Sequence, residues 1–327
     1  MMKKTVFVVL AVVGLAASAT AEPNVRMPAP ASATYVRGTR AMDDAACGKC
    51  HQRIAEEHAG SLHHASFSDA SFQKGYTKEP SAFCRSCHAP EAKPDETPDA
   101  FASENGVACI TCHKPDASGA ILSGEGKGSA RSAPPHAVAR VADFGTRACA
   151  SCHEFAFPGG EKNGTKSLMQ KTMTEHAESS SKDRSCGSCH MPNGGHRFLA
   201  SRSPAMLERA LDVKVEREEG EAVFTLGARE VGHAFPTGDL LRRLVVRLKA
   251  DGSVVEQPLA RNFGSTHAVR YEVSDLRLRA RKTLSLPLPR GTRASWEVLY
   301  QRVTAVDQAP PFSATVEAEL VLARGSL

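Results

Sequence analysis

One pentapeptide, Cys-x-x-Cys-His, occurs five times in this chain and uses all ten of its cysteines. Two thiols three positions apart can each form a thioether to one vinyl group of a haem. The histidine that follows can then bind the iron as its proximal axial ligand. The pattern therefore predicts five covalently attached haems c. The attaching thiols are those of Cys47, Cys50, Cys84, Cys87, Cys109, Cys112, Cys149, Cys152, Cys186 and Cys189. The proximal ligands are His51, His88, His113, His153 and His190.

Zinc sites and thiol redox sites also use paired cysteines at this spacing. Neither zinc binding nor disulfide pairing explains why a histidine directly follows the second cysteine in all five copies. We therefore interpret the repeats as haem attachment sites.

Haem iron takes two axial ligands. A second histidine gives a closed site for electron transfer, a methionine raises the potential, and an open position permits chemistry. Eight histidines lie outside the motifs. We expect the distal metal ligands to be His63, His136, His176, His196 and His233. The remaining candidates are His58, His64 and His267.

Local sequence favours several of these assignments. His136 follows two prolines, which restrict the backbone. His196 follows Asn-Gly-Gly, where the chain can fold back over a haem. His233 lies beside a Pro-Thr-Gly turn, which suits a ligand supplied by a neighbouring domain. His58 is two helical turns beyond His51, too far along to bind the same iron.

Residues 1–21 are predicted to be a secretory signal peptide, with Lys3 and Lys4 before an apolar run and Ala-Thr-Ala before Glu22. An N-terminal anchor helix is the competing interpretation, but the run is shorter than a bilayer requires. We expect an exported protein, periplasmic or extracellular, with no transmembrane segment in the mature chain. Residues 22–40, rich in Pro, Ala and Arg, are predicted to be an extended leader.

Residues 41–204 are predicted to be a pentahaem cytochrome c domain, made of short helices and loops wrapped around haems. This stretch has few apolar runs, so the porphyrins must supply its interior and folding should depend on them. We expect helices over 51–65, 168–179 and 204–211, and unstructured loops at 91–98 and 115–135.

Residues 205–327 contain no cysteine and alternate apolar with polar residues, which predicts strands. The expected strands cover 211–217, 221–226, 241–249, 275–288, 295–303 and 314–322, with a hairpin turn at 250–253. Their number and spacing predict an Ig-like antiparallel β-sandwich with Trp296 in its core. The fold class expected overall is α+β.

Three stretches give the chain its resemblance to the cytochrome c-554 family. They are the first motif with the helix running to His63, the segment from Met169 through Cys189-His-Met-Pro to His196-Arg-Phe, and the segment Gly232-His-Ala-Phe-Pro-Thr-Gly-Asp. The resemblance implies that His63, His196 and His233 are distal ligands. It also implies a C-terminal β-domain, found in many larger members, and haems packed in parallel and near-perpendicular pairs.

These features predict an electron carrier that passes single electrons along mostly bis-histidine haems, from a quinol-side donor to a periplasmic or extracellular acceptor. One alternative is an oxidoreductase acting on a small nitrogen or sulfur compound at an open haem. Another is a subunit of an extracellular haem filament or outer-membrane conduit. We name no catalytic residue, because no Cys-x-x-Cys-Lys variant is present. No basic block is present either, so nucleic-acid binding is not expected.

Overall fold

A computed structural model describes residues 40–93, 96–114, 120–124, 135–158, 168–238, 240–266 and 269–327. The predicted signal peptide and His267 lie outside these residues. So does the predicted leader except its last residue, Arg40, which already belongs to the first helix.

Short helices dominate the first part of the described chain. They are α1 (Arg40–Cys50), α2 (Gln52–Ala59), α3 (Ala70–Tyr76), α4 (Ala82–His88), α5 (Ala100–Asn105), α6 (Cys109–His113), α7 (Phe144–His153), α8 (Thr172–Ala177), α9 (Cys186–His190) and α10 (Pro204–Arg209). Side chains of Asp69, Ser81, Asp99 and Ser185 accept hydrogen bonds from the first turns of α3, α4, α5 and α9, which stabilises these helix starts. No helix in the described ranges has the length and apolar character needed to cross a bilayer.

Three helix and loop predictions need correction. The helix predicted over 51–65 ends at Ala59. The loop predicted at 115–135 contains strand β1 (Ile121–Gly124), which pairs in parallel with β2 (Val138–Val141). The start of the loop predicted at 91–98 is packed, since Glu91 is buried and accepts a 2.7 Å hydrogen bond from Thr111 Oγ1.

The helix predicted over 168–179 is also partly wrong. Its first four residues form strand β4 (Leu168–Lys171), which pairs antiparallel with β3 (Glu154–Ala156), and only Thr172–Ala177 is helical. The strand is favoured over a helix because β3, directly after α7, pairs with it. Local sequence does not reveal this tertiary contact.

Nine longer strands follow in the C-terminal part. They are β5 (Leu211–Glu218), β6 (Glu221–Ala228), β7 (Arg242–Ala250), β8 (Ser253–Leu259), β9 (Arg261–Thr266), β10 (Val269–Asp275), β11 (Lys282–Pro287), β12 (Ala294–Val306) and β13 (Ala314–Ser326). They form a three-stranded sheet in the order β11-β6-β5, a four-stranded sheet β13-β12-β7-β8 and a β9–β10 ribbon. The predicted turn joins β7 to β8 through Asp251 and Gly252, both with positive φ, as a two-residue hairpin requires.

The two larger sheets share one apolar core. Phe224 and Leu226 of β6 are fully buried beside Leu248 of β7 and Val298 of β12. Trp296 on β12 is half-buried and meets Phe224 edge to face, with ring centroids 6.0 Å apart. Alternation of apolar and polar residues therefore places one face of each sheet against the same core.

The first half of the strand predicted over 275–288 is wrong: only Asp275 belongs to β10, and β11 begins at Lys282. Between them Leu278 is fully buried and exchanges two backbone hydrogen bonds with Phe235. Arg277 points inward to an ion pair with Glu175 and Asp275. A buried arginine that must meet its carboxylate partners interrupts the regular alternation.

The β9–β10 ribbon contacts the N-terminal part of the chain. Arg261 donates to the carbonyl oxygens of Leu168 and Met169 at 2.7 and 3.0 Å. Phe263 packs against Phe157 with ring centroids 5.0 Å apart. The ribbon therefore fastens the C-terminal strands to the β3–β4 pair.

Candidate haem-binding site

Each Cys-x-x-Cys-His motif lies at the end of a short helix. Four motifs close α4, α6, α7 and α9, whose last residue is the motif histidine, and the first motif closes α1 with His51 directly after it. Positions i, i+3 and i+4 share one face of a helix. The two thiols and the imidazole of a motif are thus presented on one side, as haem attachment needs.

Four motif histidines have Nδ1 engaged by another group. The partners are the carbonyl oxygen of Ser66 for His88 (2.7 Å), that of Leu122 for His113 (2.8 Å), that of Leu199 for His190 (2.5 Å) and the side-chain amide of Gln170 for His153 (2.9 Å). A partner on one ring nitrogen fixes the tautomer and ring orientation and leaves the other nitrogen for a metal. The three rings whose Nδ1–H donates to a carbonyl oxygen are therefore prepared to bind iron through Nε2. His153 is prepared in the same way when the Gln170 amide turns its oxygen toward Nδ1.

Three of these motif imidazoles face a second imidazole. The ring centroids are 6.2 Å apart for His63 and His153, 6.0 Å for His113 and His196, and 6.2 Å for His190 and His233. Imidazole nitrogens bind metals at about 2.0–2.1 Å. Two rings on opposite sides of one iron would thus have centroids about 6 Å apart. The residues present fit a bis-histidine haem at these three positions.

Burial sets the protonation of these rings. Together with the neighbouring histidines, it lowers the pKa of His63 to about 3 and the pKa of His153 to about 4. Burial also lowers the pKa of His113, His196 and His233. These five imidazoles are therefore neutral near pH 7, which is the form that binds a metal.

The remaining predicted histidines are placed differently. His136 is exposed just before β2, and His176 is half-buried on α8. Within the described residues, neither imidazole packs against the ring of a motif histidine. His58 is buried with its Nε2 2.8 Å from the carbonyl oxygen of Val107. His64 faces His58 edge to face at 5.5 Å, so the two neighbours His63 and His64 point to different partners.

Cysteines of different motifs lie next to one another. The thiol of Cys109 contacts that of Cys47, Cys87 contacts Cys152, and Cys149 contacts Cys186. These contacts and burial raise the pKa of the Cys109, Cys87 and Cys149 thiols. All ten cysteines are free of disulfides, and in the described ranges no three His, Cys, Asp or Glu side chains converge on a metal-ion site. These contacts place the haem-attaching cysteines of different motifs side by side.

Two glutamates that the sequence analysis did not single out hold the loops of the facing histidines. Glu57 accepts a 2.8 Å hydrogen bond from the backbone N–H of His196. Glu175 accepts one of 3.2 Å from the backbone N–H of Ala234, directly after His233. Both glutamates stand in a Glu-His-Ala tripeptide, at 57–59 and 175–177. This repeat is the signal that would have indicated them.

Gly106 brings the His63 segment into place. Its φ is +53°, and an added Cβ would lie 2.4 Å from Ser66 Oγ and 2.7 Å from the carbonyl oxygens of His63 and His64. The next residue, Val107, donates a 2.9 Å hydrogen bond to the His63 carbonyl oxygen. Only glycine combines this backbone conformation with so close an approach.

Gly106→Ala is expected to destabilise the protein by at least about 1–3 kcal/mol, because a side chain at this φ is strained even before the contacts are counted. Chemical denaturation measures the change. Gly75→Ala is the control, since Gly75 lies within α3 with no atom within 4 Å of an added Cβ. That variant should be neutral or more stable by about 0.5–1 kcal/mol. Equal stability of both variants would contradict the role given to Gly106.

No protein-family model matches the chain, and no curated protein matches it. Among solved structures, the chain shares the fold of a multihaem cytochrome. The particular neighbour is a penta-haem cytochrome c552 from Thermochromatium tepidum, at a TM-score of 0.63 and 21% sequence identity. The match covers 86% of this chain and 97% of the other. The expected mixture of helices and strands is confirmed, together with a multihaem-cytochrome fold. The resemblance to the c-554 family stays a prediction.

Proposed function

We propose that this protein is an exported pentahaem c-type cytochrome that carries single electrons between redox partners. The observation that carries the proposal is the set of three imidazole pairs with centroids 6.0–6.2 Å apart, each pairing a motif histidine with a distant one. The five motifs and the penta-haem neighbour of similar fold support it. A histidine on each side closes the iron to substrates and suits electron transfer.

In this proposal the ten motif cysteines form the thioethers and the five motif histidines are the proximal ligands. His63 completes the iron of His153, His196 that of His113, and His233 that of His190. For the irons of His51 and His88, the two remaining predicted ligands are His136 and His176, which stay predictions. When bound, the haems supply the redox chemistry, while the protein side chains fix each iron and exclude water from it.

The contacts between cysteines support close haem packing within two groups of motifs, the second, fourth and fifth in one group and the first and third in the other. Cys149 and Cys152 of the fourth motif touch Cys186 of the fifth and Cys87 of the second. Cys109 of the third motif touches Cys47 of the first. Haems attached at these cysteines would have neighbouring edges, as an electron conductor requires.

The C-terminal strands are proposed to form an Ig-like β-sandwich over residues 205–327, which follows the pentahaem domain over 41–204. The shared core between the two larger sheets supports this interpretation. A quinol-side donor and a periplasmic or extracellular acceptor are the proposed partners. The signal-like N-terminus supports export, the setting in which bacteria attach haem c.

Low-temperature spin-state spectra of the holo protein test the function directly. A closed iron gives a low-spin signal, and an open iron gives a high-spin signal and binds carbon monoxide when reduced. An electron carrier should show only low-spin haems. One persistent high-spin haem would instead favour the oxidoreductase, and a mature mass without five added haems would end the proposal.

Replacing a proposed distal ligand should open one iron. His63→Ala, His196→Ala and His233→Ala are each expected to convert about one haem in five to the high-spin form, because each removes one of two axial bonds. His64→Ala is the matched control for His63→Ala and should leave the spectrum unchanged. A high-spin haem in the His64 variant alone would show that the assignment of His63 is wrong.

A further inference from the structure

The carboxylate of Glu175 joins three separate segments of the chain. Its side chain is 1% exposed. One oxygen accepts hydrogen bonds from the Thr237 hydroxyl at 2.6 Å and the Ala234 backbone N–H at 3.2 Å. The other oxygen pairs with the guanidinium of Arg277. A buried charge is stable only when it is paired and hydrogen-bonded, and Glu175 satisfies both conditions with groups from the C-terminal part.

These partners belong to the loop that carries His233. Ala234 is held on both of its backbone groups, since its N–H donates to Glu175 and its carbonyl oxygen lies 3.0 Å from Nδ1 of His233. The second contact leaves Nε2 of His233 as the free ring nitrogen. The ring lies nearly parallel to that of His190, with an interplanar angle of 15°.

The loop also approaches α8 closely. A Cβ added to Gly232 would lie 3.0 Å from Ser181 Cβ and 3.2 Å from His176 Cδ2. Two hydrogen bonds between Phe235 and Leu278 fix the far side of the loop to the C-terminal strands. Glu175 therefore joins the Ala234 end of the loop to α8, while Thr172 of α8 contacts Thr237 at its other end, with the hydroxyl oxygens 3.1 Å apart.

We propose that Glu175 is a positioning residue that holds His233 opposite His190, so that the C-terminal part of the chain supplies a ligand to a haem of the N-terminal part. This inference rests on the proposed function, in which His233 binds that iron. Glu175 touches neither imidazole through its carboxylate in the described contacts. It acts through Ala234 and Thr237.

Glu175→Gln changes the hydrogen bonding with almost no change in shape. The carboxylate accepts from three donors, whereas an amide offers one oxygen and one NH₂ group. In either orientation, the NH₂ group faces Arg277 or the Ala234 N–H, and neither of these can accept a hydrogen bond. The loop then keeps the Thr172–Thr237 contact with α8 but loses the one at Ala234, directly after His233, and His233 is released from its position.

The test compares the holo forms of Glu175→Gln and Glu178→Gln. Glu178 is one residue beyond α8, and its exposed side chain forms a surface ion pair with Arg279. In the Glu175 variant we expect about one haem in five to become high-spin and to bind carbon monoxide, with five haems still attached by mass. The Glu178 variant should match the wild type. General damage to the fold would instead disturb several haems at once.

Two further variants separate the possible outcomes. His233→Ala should open the same haem; if it does not, the ligand assignment itself fails. If His233→Ala opens the haem and Glu175→Gln does not, only the role of Glu175 is overturned. Should Glu175→Gln yield no folded protein, Thr237→Val removes the hydroxyl that bonds Glu175 and Thr172 but leaves the contact between Ala234 and Glu175. It should give a smaller high-spin fraction at that haem. An unchanged spectrum in that variant would then overturn the proposal.

Discussion

Arg277→Met is expected to lower the free energy of unfolding by about 3–5 kcal/mol, the usual cost of leaving a buried charge without its partner. The Arg277 side chain is 4% exposed and lies between Glu175 and Asp275, whose side chains are 1% and 13% exposed. It also donates a 3.1 Å hydrogen bond to the carbonyl oxygen of Pro236. Methionine keeps much of the volume but none of these bonds, so the carboxylate of Glu175 keeps only Arg279, 3.8 Å away, as a cationic partner.

Arg281→Met provides the matched control, four residues along the same segment. Arg281 is 64% exposed and pairs with Asp212 at the surface, so its loss should cost about 0–1 kcal/mol. Denaturant unfolding followed by the emission of Trp296, the only tryptophan, measures both variants. Similar losses in the two variants would show that the buried pair gives no special stabilisation.

A chain without attached haems should keep its C-terminal part folded and lose the fold of its N-terminal part. Among the described residues, one cluster of buried apolar side chains in the N-terminal part consists of Ala89, Ala92 and Ala102, with Phe67 packed against it. The C-terminal sheets instead share a core with several fully buried large side chains, among them Phe224 and Leu248. Without porphyrins, the N-terminal part has too little apolar surface to offset the entropy of folding.

Amide hydrogen exchange measures this difference. In the haem-free chain, obtained by changing all ten cysteines to alanine, β7 and β12 should keep opening free energies on the order of 5 kcal/mol. The motif helices should exchange with almost no protection. The holo protein is the reference, in which both parts are protected. Equal protection of the motif helices with and without haem would contradict the proposed dependence.

Local sequence predicted the parts of this molecule that local rules determine. The fixed spacing within each motif predicted haem attachment sites, and each motif lies at a helix end, where its two thiols and imidazole share one face. Alternation predicted β5, β6, β7, β12 and β13 to within a few residues. The turn at Asp251 and Gly252 followed from the residues that positive φ requires.

Contacts between distant segments could not be predicted in the same way. His113 faces His196, which lies 83 positions further along the chain. Nothing in the sequence around either histidine links the two. Arg277 alternates with leucines as a strand residue would, yet it is buried against Glu175. Strands β8 and β9 were missed, because β8 has exposed valines at 254 and 255 and β9 pairs only in a ribbon.

The chain order of the facing histidines has a consequence for biogenesis. In the proposed pairing, His63 precedes its partner His153, but His196 and His233 come after His113 and His190. In the proposed export the amino terminus would emerge first, so the haem at His190 would be ligated on one side before His233 had crossed. That iron would become six-coordinate only when the last third of the polypeptide had been delivered. A truncated product would therefore carry an iron with an open, reactive position. Only folding of the C-terminal part would close that position.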